Sequence, residues 1–337
     1  MKKIRLGIIG CGGFVQYHLR KIPDEAPEFR ITALCDIIRG HAEHHRKLYC
    51  PRRRVPIYLD YRDMLRKEDL DAIIVSTPHT LHFRHAYDAL AAGCHVMVEK
   101  PMVTSSAHAR RLVSQSERKH KTLMVAIQGT YTDTFAYAKQ LLAEGTDGLL
   151  GELQMVTGVL AQGWMKGTTG KWRQDPKLSG GGQLYDSMAH VLSAMMFLVN
   201  EPVVEVSARS DYKGRKVDIN AVGWMRFAGG ALASITSGGN CPTWKSHLTL
   251  QCEKARLEIS PHGGDFLING RGLKRDIKKV PRGWKVPGVS PVQNFAQVIL
   301  GREPEPRCGG RVGILLADLM DAIYESAGAG GKVIRLK

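Results

Sequence analysis

The rhythm of apolar and polar positions changes near residue 126. Before that point, short apolar runs alternate with polar-faced segments of helical length. Lys3 to Ile9 reads as a strand, followed at once by Gly10-Cys11-Gly12-Gly13 and a helix from Phe14 to Ile22. Phe29 to Asp36 is a second strand, and Gly40 to Tyr49 a polar helix. Asp71 to Ser76 (DAIIVS) is almost continuously apolar, the pattern of a strand buried on both faces. His82 to Ala92 has helical spacing, Gly93 stops it, and His95 to Glu99 is another buried strand. Alternating elements of this length predict right-handed parallel units and a doubly wound α/β sheet.

After Ala126 that alternation ends. Glu152 to Leu160, Val203 to Ser210, Ile219 to Phe227, Ala231 to Ser237 and His247 to Glu253 read as successive strands with turn signals between them. Ala228-Gly229-Gly230 suits a hairpin, and Gln293 to Leu300 and Arg311 to Ala327 are late helices.

Length and composition sharpen this picture. A chain of 337 residues exceeds what one core ordinarily serves, so two domains are expected. With 43% apolar and 24% charged residues it has the profile of a soluble globular protein, and no apolar run approaches the ~20 residues of a membrane span. The N-terminal MKKIRLGIIGCGG runs directly from apolar residues into glycines, which reads as a strand rather than a secretory leader. Seven scattered cysteines with no C-x-x-C spacing argue against a disulfide framework or a structural zinc site, and for a reducing cytoplasm. The net charge of +16 raises nucleic acid as a partner. The densest basic run, Pro51 to Arg54, is short, however, and lacks interleaved aromatic residues for stacking bases; the charge suits anionic ligands instead.

The first chemistry lies in the turn after the first strand. In a doubly wound sheet this turn receives a dinucleotide pyrophosphate. Gly10-x-Gly12 fits, although Val15 stands where a third glycine or alanine is usual. Asp36 closes the second strand at the distance expected of a carboxylate that accepts from ribose hydroxyls; a helix N-cap is the alternative. Ile37 and Ile38 offer no cation for a 2′-phosphate, so NAD is expected over NADP, with Arg39 the one nearby cation.

From Ser76 to Pro101 the chain reads STPHTLHFRHAYDALAAGCHVMVEKP, then Trp172-Arg173, then GGG-x-x-x-D-x-x-x-H from Gly180 to His190, and finally AIYESAGAGGKVIRL. These motifs, in this order, resemble the Gfo/Idh/MocA family of sugar and inositol dehydrogenases over essentially the whole chain. The resemblance implies a Rossmann domain, residues 1–125, and a substrate-binding and oligomerisation domain, residues 126–337, built on a large, open-faced, mostly antiparallel sheet. It also implies a cofactor site of Gly10, Gly12, Gly13, Phe14, Val15, Asp36, Thr77, Pro78, His82, Glu99, Lys100, Gln128, Trp172 and Arg173. The chain departs from the family pattern at Met188, where glycine is frequent, at Gly129, where arginine is common, and at Val15.

Oxidising a secondary alcohol needs a base for the hydroxyl proton while the carbon gives up hydride, and an imidazole suits a step near neutral pH. His190 is the candidate base, and Asp186, four residues earlier on a helix, would hold its tautomer. Lys100, at the carboxyl end of a parallel strand, would hydrogen-bond the reacting hydroxyl and stabilise developing alkoxide. The plainer alternatives are an Asp–His pair that only packs and a lysine in an exposed strand-end loop. The glycines of residues 180–182 would let the second domain's backbone close over the nicotinamide edge. Glu99 is expected to contact the cofactor or orient Lys100, and the Lys100–Pro101 bond could be cis. The histidines at 79, 82 and 85 and at 41, 44 and 45 lack the carboxylate or cysteine of a usual metal set, and no metal is expected.

The leading expectation is therefore NAD-dependent hydride transfer at a ring hydroxyl of a sugar, sugar derivative or cyclitol. An NAD-dependent glycosidase that oxidises its sugar only transiently shares every motif, and a non-catalytic binding protein is the third class. Neither nucleic acid nor membrane is expected as a partner. An open sheet face predicts a homodimer or a tetramer of such dimers.

Overall fold

The apolar runs of the first third become six parallel strands: β1 (Ile4–Ile9), β2 (Phe29–Cys35), β3 (Ile57–Tyr58), β4 (Ala72–Val75), β5 (His95–Glu99) and β6 (Leu123–Ala126). Their order is β3-β2-β1-β4-β5-β6, with neighbours in parallel register. All four residues of β4 are buried, as are Val96 to Glu99 of β5, which is why these segments read as unbroken apolar runs. The structure, a computed structural model, describes residues 3–336.

One compact unit holds the chain up to Ala126 together with Val289–Arg311; the other holds Ile127–Gly288 and the chain from Val312 onward. The sequence reading assigned everything after residue 125 to one domain, but residues 289–311 return to the first unit. There Phe295 packs on Phe29 with ring centroids 5.7 Å apart, Arg302 pairs with Glu28, and the Cys308 carbonyl accepts the Val125 N–H at 2.9 Å. No local feature of residues 289–311 announces partners more than 150 positions away. The first helix also differs from expectation. Instead of running from Phe14 to Ile22, it is a 3-10 turn (Gly13–Val15), a four-residue helix (Gln16–Leu19) and a second short helix (Ile22–Glu25).

The second unit carries an eight-stranded sheet made of β7 (Leu153–Ala161), β8 (Val203–Asp211), β9 (Asn220–Phe227), β10 (Leu232–Gly238), β11 (Lys245–Cys252), β12 (Arg256–Ile259), β13 (Phe266–Asn269) and β14 (Ile334–Arg335). The order is β13-β12-β11-β7-β10-β9-β8-β14, antiparallel except where β10 runs parallel to β7. One face is apolar and covered by the helix Ala189–Val199, which is buried along nearly its whole length and packs on β7 and β11. The period of two then turns Met155, Val222, Trp224 and Leu232 to the opposite face, where they are exposed. Met155 pairs with Leu232 across β7 and β10, and Trp224 pairs with Ser234 across β9 and β10.

Candidate functional site

In the first unit the carboxyl ends of β1, β2, β4 and β5 meet along one edge, because Ile9 is in register with both Cys35 and Val75, and Val75 with Val98. The residues that follow those strands (Gly10, Asp36, Ser76 and Lys100) therefore share that edge. Gly10 has φ +91° and lies against the next loop, so that a Cβ there would sit 2.5 Å from the Ser76 carbonyl oxygen. Gly12 and Gly13 have open space where their side chains would be. Phe14 and Leu81 present exposed apolar surface, as do Ile37, 85% exposed, and Ile38. An open glycine cradle flanked by apolar side chains fits a dinucleotide. The Val15 side chain, where a third glycine or alanine is usual, is fully buried.

Asp36 ties the edge together. Its Oδ2 accepts the Cys11 N–H at 2.7 Å and its Oδ1 accepts the Ile38 N–H at 2.8 Å, with His41 Nδ1 3.4 Å away. A carboxylate has about four acceptor positions, so two backbone bonds leave capacity for ribose hydroxyls. Arg39, the one cation noted in the sequence, lies 3.7 Å from Glu43.

At the end of β5, Lys100 is only 8% exposed and precedes a cis peptide to Pro101. Glu99 Oε1 lies 2.5 Å from His18 Nε2, and its Oε2 accepts the Lys100 backbone N–H at 3.2 Å. Glu99 thus fixes the backbone of Lys100 and joins it to the helix after the glycine loop. His18, fully buried, gave no sign of this in the sequence. His82 has a second, bracing set of contacts. It is completely buried, with its ring nitrogens 2.8 Å from the carbonyls of Pro101 and Thr77, so it braces two loops from behind. Burial lowers its pKa and favours the neutral ring, which donates to one carbonyl at a time. Thr77 Oγ1 in turn lies 3.0 Å from His85 Nδ1. Pro78 caps the turn His79–Leu81.

The second unit gathers the remaining candidates, and it gives Asp186 partners beyond its own helix. Asp186 lies in a π-helical turn, Leu184–Met188, and His190 just beyond it in the helix Ala189–Val199. Asp186 Oδ2 accepts from Trp164 Nε1 at 2.7 Å and from Arg173 Nε at 2.9 Å. Arg173 also lies over the Trp172 ring, 4.5 Å from its centroid. His190 packs on His262, ring centroids 4.6 Å apart, and Met188 is buried in the core. Gln128 opens the short turn Gln128–Tyr131, and Gly129 lies under the Pro261 carbonyl, within the radius a Cβ would need.

The glycine run has a cause within the second unit itself. Gly180 ends a short helix with φ +77°, and Gly182 lies flat against the backbone of Asp218. The buried Asp218 carboxylate then accepts from Gly182 N–H at 2.7 Å, Leu184 N–H at 2.9 Å and the Tyr324 hydroxyl at 2.5 Å. These contacts seat the π turn and so aim Asp186 and His190. Asp218 and Tyr324 escaped the sequence reading because they lie 36 and 142 residues from Gly182.

Residues 4–127 match the family model described as an oxidoreductase family with an NAD-binding Rossmann fold, and residues 135–258 match the GFO/IDH/MocA C-terminal domain. The chain belongs to the Gfo/Idh/MocA family. Among relatives of this family, D-glucoside 3-dehydrogenase of Escherichia coli is 29% identical over 217 residues, covering 62% of this chain and 58% of that protein. Inositol 2-dehydrogenase of Salmonella typhimurium is 24% identical over 215 residues, 64% of this chain; the match spans 57% of that relative's length. In fold, the WlbA dehydrogenase from Bordetella pertussis, solved in complex with NADH and UDP-GlcNAcA, superposes with a TM-score of 0.83 at 23% identity over 100% of this chain and 99% of that one. Among the described residues of this Gfo/Idh/MocA member, no cluster of three or more His, Cys, Asp or Glu could hold a metal ion, and no helix is long and apolar enough to cross a membrane.

Proposed function

We propose that the protein is an NAD-dependent dehydrogenase acting on a ring secondary alcohol of a sugar, sugar derivative or cyclitol. The observation that carries this reading is the shared carboxyl edge of the parallel sheet. It holds an open glycine cradle, a ribose-suited carboxylate at Asp36 and an ordered, nearly buried lysine at 100. The relatives, an inositol 2-dehydrogenase and a D-glucoside 3-dehydrogenase, point to ring hydroxyls.

Gly10, Gly12, Gly13 and the turn beginning at Phe14 would hold the pyrophosphate, Asp36 the ribose, and Thr77, Pro78 and Gln128 the remaining contacts. NAD supplies the two-electron acceptor when bound. Lys100 hydrogen-bonds the reacting hydroxyl and stabilises alkoxide character, while His190 takes the hydroxyl proton, so that hydride and proton leave the alcohol by separate routes. Asp186, neutralised on one side by Arg173, supports the charge that His190 gains. Trp172 and Arg173 shape the approach to that group. The Asp36 carboxylate would repel a 2′-phosphate, which favours NAD over NADP. Seven scattered cysteines without a C-x-x-C pair suit a reducing cytoplasm, and the exposed row Met155, Leu232, Val222 and Trp224 suits a homodimer or a tetramer of dimers.

The test is a screen of hexoses, uronates, cyclitols and aryl glycosides with NAD, reading nicotinamide absorbance and aglycone release together. NADH formed in proportion to substrate consumed supports a dehydrogenase. Aglycone released without net NADH supports transient oxidation and elimination instead.

A further inference from the structure

Two loops of the second unit meet beside His190. The first, between β10 and β11, is pinned at its start: Gly239 accepts the Met165 N–H at 2.7 Å, and Cys241 donates to the Gln162 carbonyl at 3.1 Å. It ends in Trp244, which remains 56% exposed. The second loop, between β12 and β13, is a turn closed by Ser260 N–H on the Asp265 carbonyl at 3.1 Å. It carries His262, whose Nδ1 lies 2.7 Å from Ser246 Oγ. Behind it, Gly129 lets the Pro261 carbonyl approach more closely than any side chain would allow. His262 is thus located by its own turn, by Ser246 and by the missing side chain at position 129.

The rings then form a corner. Trp244 and His262 stand 4.9 Å apart at 84°, and His262 packs on His190 at 4.6 Å. Single exposed apolar residues are common on protein surfaces. This indole differs in being held at a right angle to an ordered imidazole, two ring contacts from the proposed base. An aromatic face carries negative quadrupole density that attracts positively polarised C–H groups. A pyranose or cyclitol ring has such a C–H face, with hydroxyls around its rim.

We propose that Trp244 and His262 form a ring-binding corner beside His190, with the C–H face of the sugar or cyclitol lying on the indole and its rim against the imidazole. This inference rests on the reading of the substrate as a ring polyol. It assigns substrate selection to a pair that composition and motifs left unmarked, next to the position where an arginine is common in the family.

The experiment first assays wild type with NAD against myo-inositol, D-glucose, methyl α-D-glucoside and 4-nitrophenyl β-D-glucoside. It then compares Trp244→Ala and Trp244→Phe on the best substrate. Trp244→Ala should raise KM roughly three- to tenfold, the worth of one aromatic contact, with kcat within about twofold. NAD affinity, melting temperature and mass by light scattering should be unchanged, and Trp244→Phe should recover most of the KM. An unchanged KM would overturn the corner while leaving the dehydrogenase reading intact. So would parallel losses in kcat and melting temperature, which mark a structural role, or a change in mass, which marks an interface. Failure of wild type to oxidise any ring polyol of the panel would overturn both.

Discussion

Gly182 lies so close to Asp218 that a Cβ on the glycine would overlap the aspartate's carbonyl oxygen, while its own N–H donates to the same residue's Oδ1 at 2.7 Å. One residue thus needs both the absence of a side chain and the presence of a backbone donor. Gly182→Ala must push the π turn off Asp218, and overpacking against backbone costs at least the usual ~1–3 kcal/mol. The expected outcome is a melting temperature lower by several degrees, with turnover reduced in the fraction that stays folded because the turn carries Asp186. Thermal melts and single-turnover rates on the same preparation check this.

Asp36 joins the glycine loop to the turn after β2 through Cys11 N–H and Ile38 N–H. Asp36→Ala should therefore weaken NAD binding at least tenfold, by losing both the ribose acceptor and the anchor of the loop. NADP should lose much less, since repulsion of its phosphate disappears as well. Calorimetric titration of both nucleotides measures the ratio; wild type binding NADP tenfold tighter than NAD would refute the assignment.

How far a residue can be read from sequence depends on whether its role is set locally. Lys100 and Asp36 were legible because a parallel strand delivers whatever follows it to the sheet's carboxyl edge. The parallel and antiparallel halves were legible because period and length differ between them. Asp186 was visible as a carboxylate four residues from a histidine. Its hydrogen bonds to Trp164 and Arg173 were not, since a π turn and a fold across 22 and 13 residues create them. Gly182 was legible as a site of close approach, but Asp218, the partner that meets it, was not. For His82 the motif marked a position near the site, but its two carbonyl partners, set by the fold, were not visible. Residues 289–311 were assigned by chain order, which their contacts with Phe29 and Glu28 do not follow.

The exposed face of the large sheet makes a prediction about assembly. Met155 and Leu232 adjoin across β7 and β10, with Val222 and Trp224 on the neighbouring strand. Light scattering at micromolar concentration should give two or four times the 37.3 kDa chain mass. Replacing Trp224 and Leu232 together by lysine should give a monomer, because two charges cannot be buried on an apolar face without partners. A wild-type mass of one chain would rule the interface out.

Two half-buried histidines predict acid sensitivity in the first unit. Burial pushes His85 down to about 4 and, chiefly by the same cause, His95 to about 4. His95 Nδ1 accepts the Thr122 N–H at 3.1 Å, which only the unprotonated nitrogen can do. In the unfolded chain both rings bind protons below ~6.5, so between that pH and about 4 the unfolded state holds more protons. Stability contributed by the neutral rings is present above ~6.5 and is lost as pH falls towards about 4. The urea midpoint should drop across that window, and His95→Gln should flatten part of the drop.

The assignment of Lys100 and His190 separates chemistry from binding. A general base contributes most in the transition state, so His190→Ala should lower turnover by ~10²–10⁴ while NAD affinity changes little. Lys100→Ala should lower turnover and also raise KM, because its hydrogen bond to the hydroxyl exists before hydride leaves. Asp186→Asn keeps an acceptor oxygen for Trp164 but removes the charge opposite Arg173, so turnover should fall with only modest loss of stability. In the oxidative direction wild-type turnover should climb with pH and then level off as the base becomes unprotonated, and that acid limb should be missing from His190→Ala. A pair that only packs predicts the reverse pattern: lower melting temperatures with near-normal hydride transfer in the surviving enzyme. Single-turnover rates, nucleotide affinity and melting temperature on all three variants distinguish the two, and near-wild-type transfer in folded His190→Ala would end the proposed mechanism.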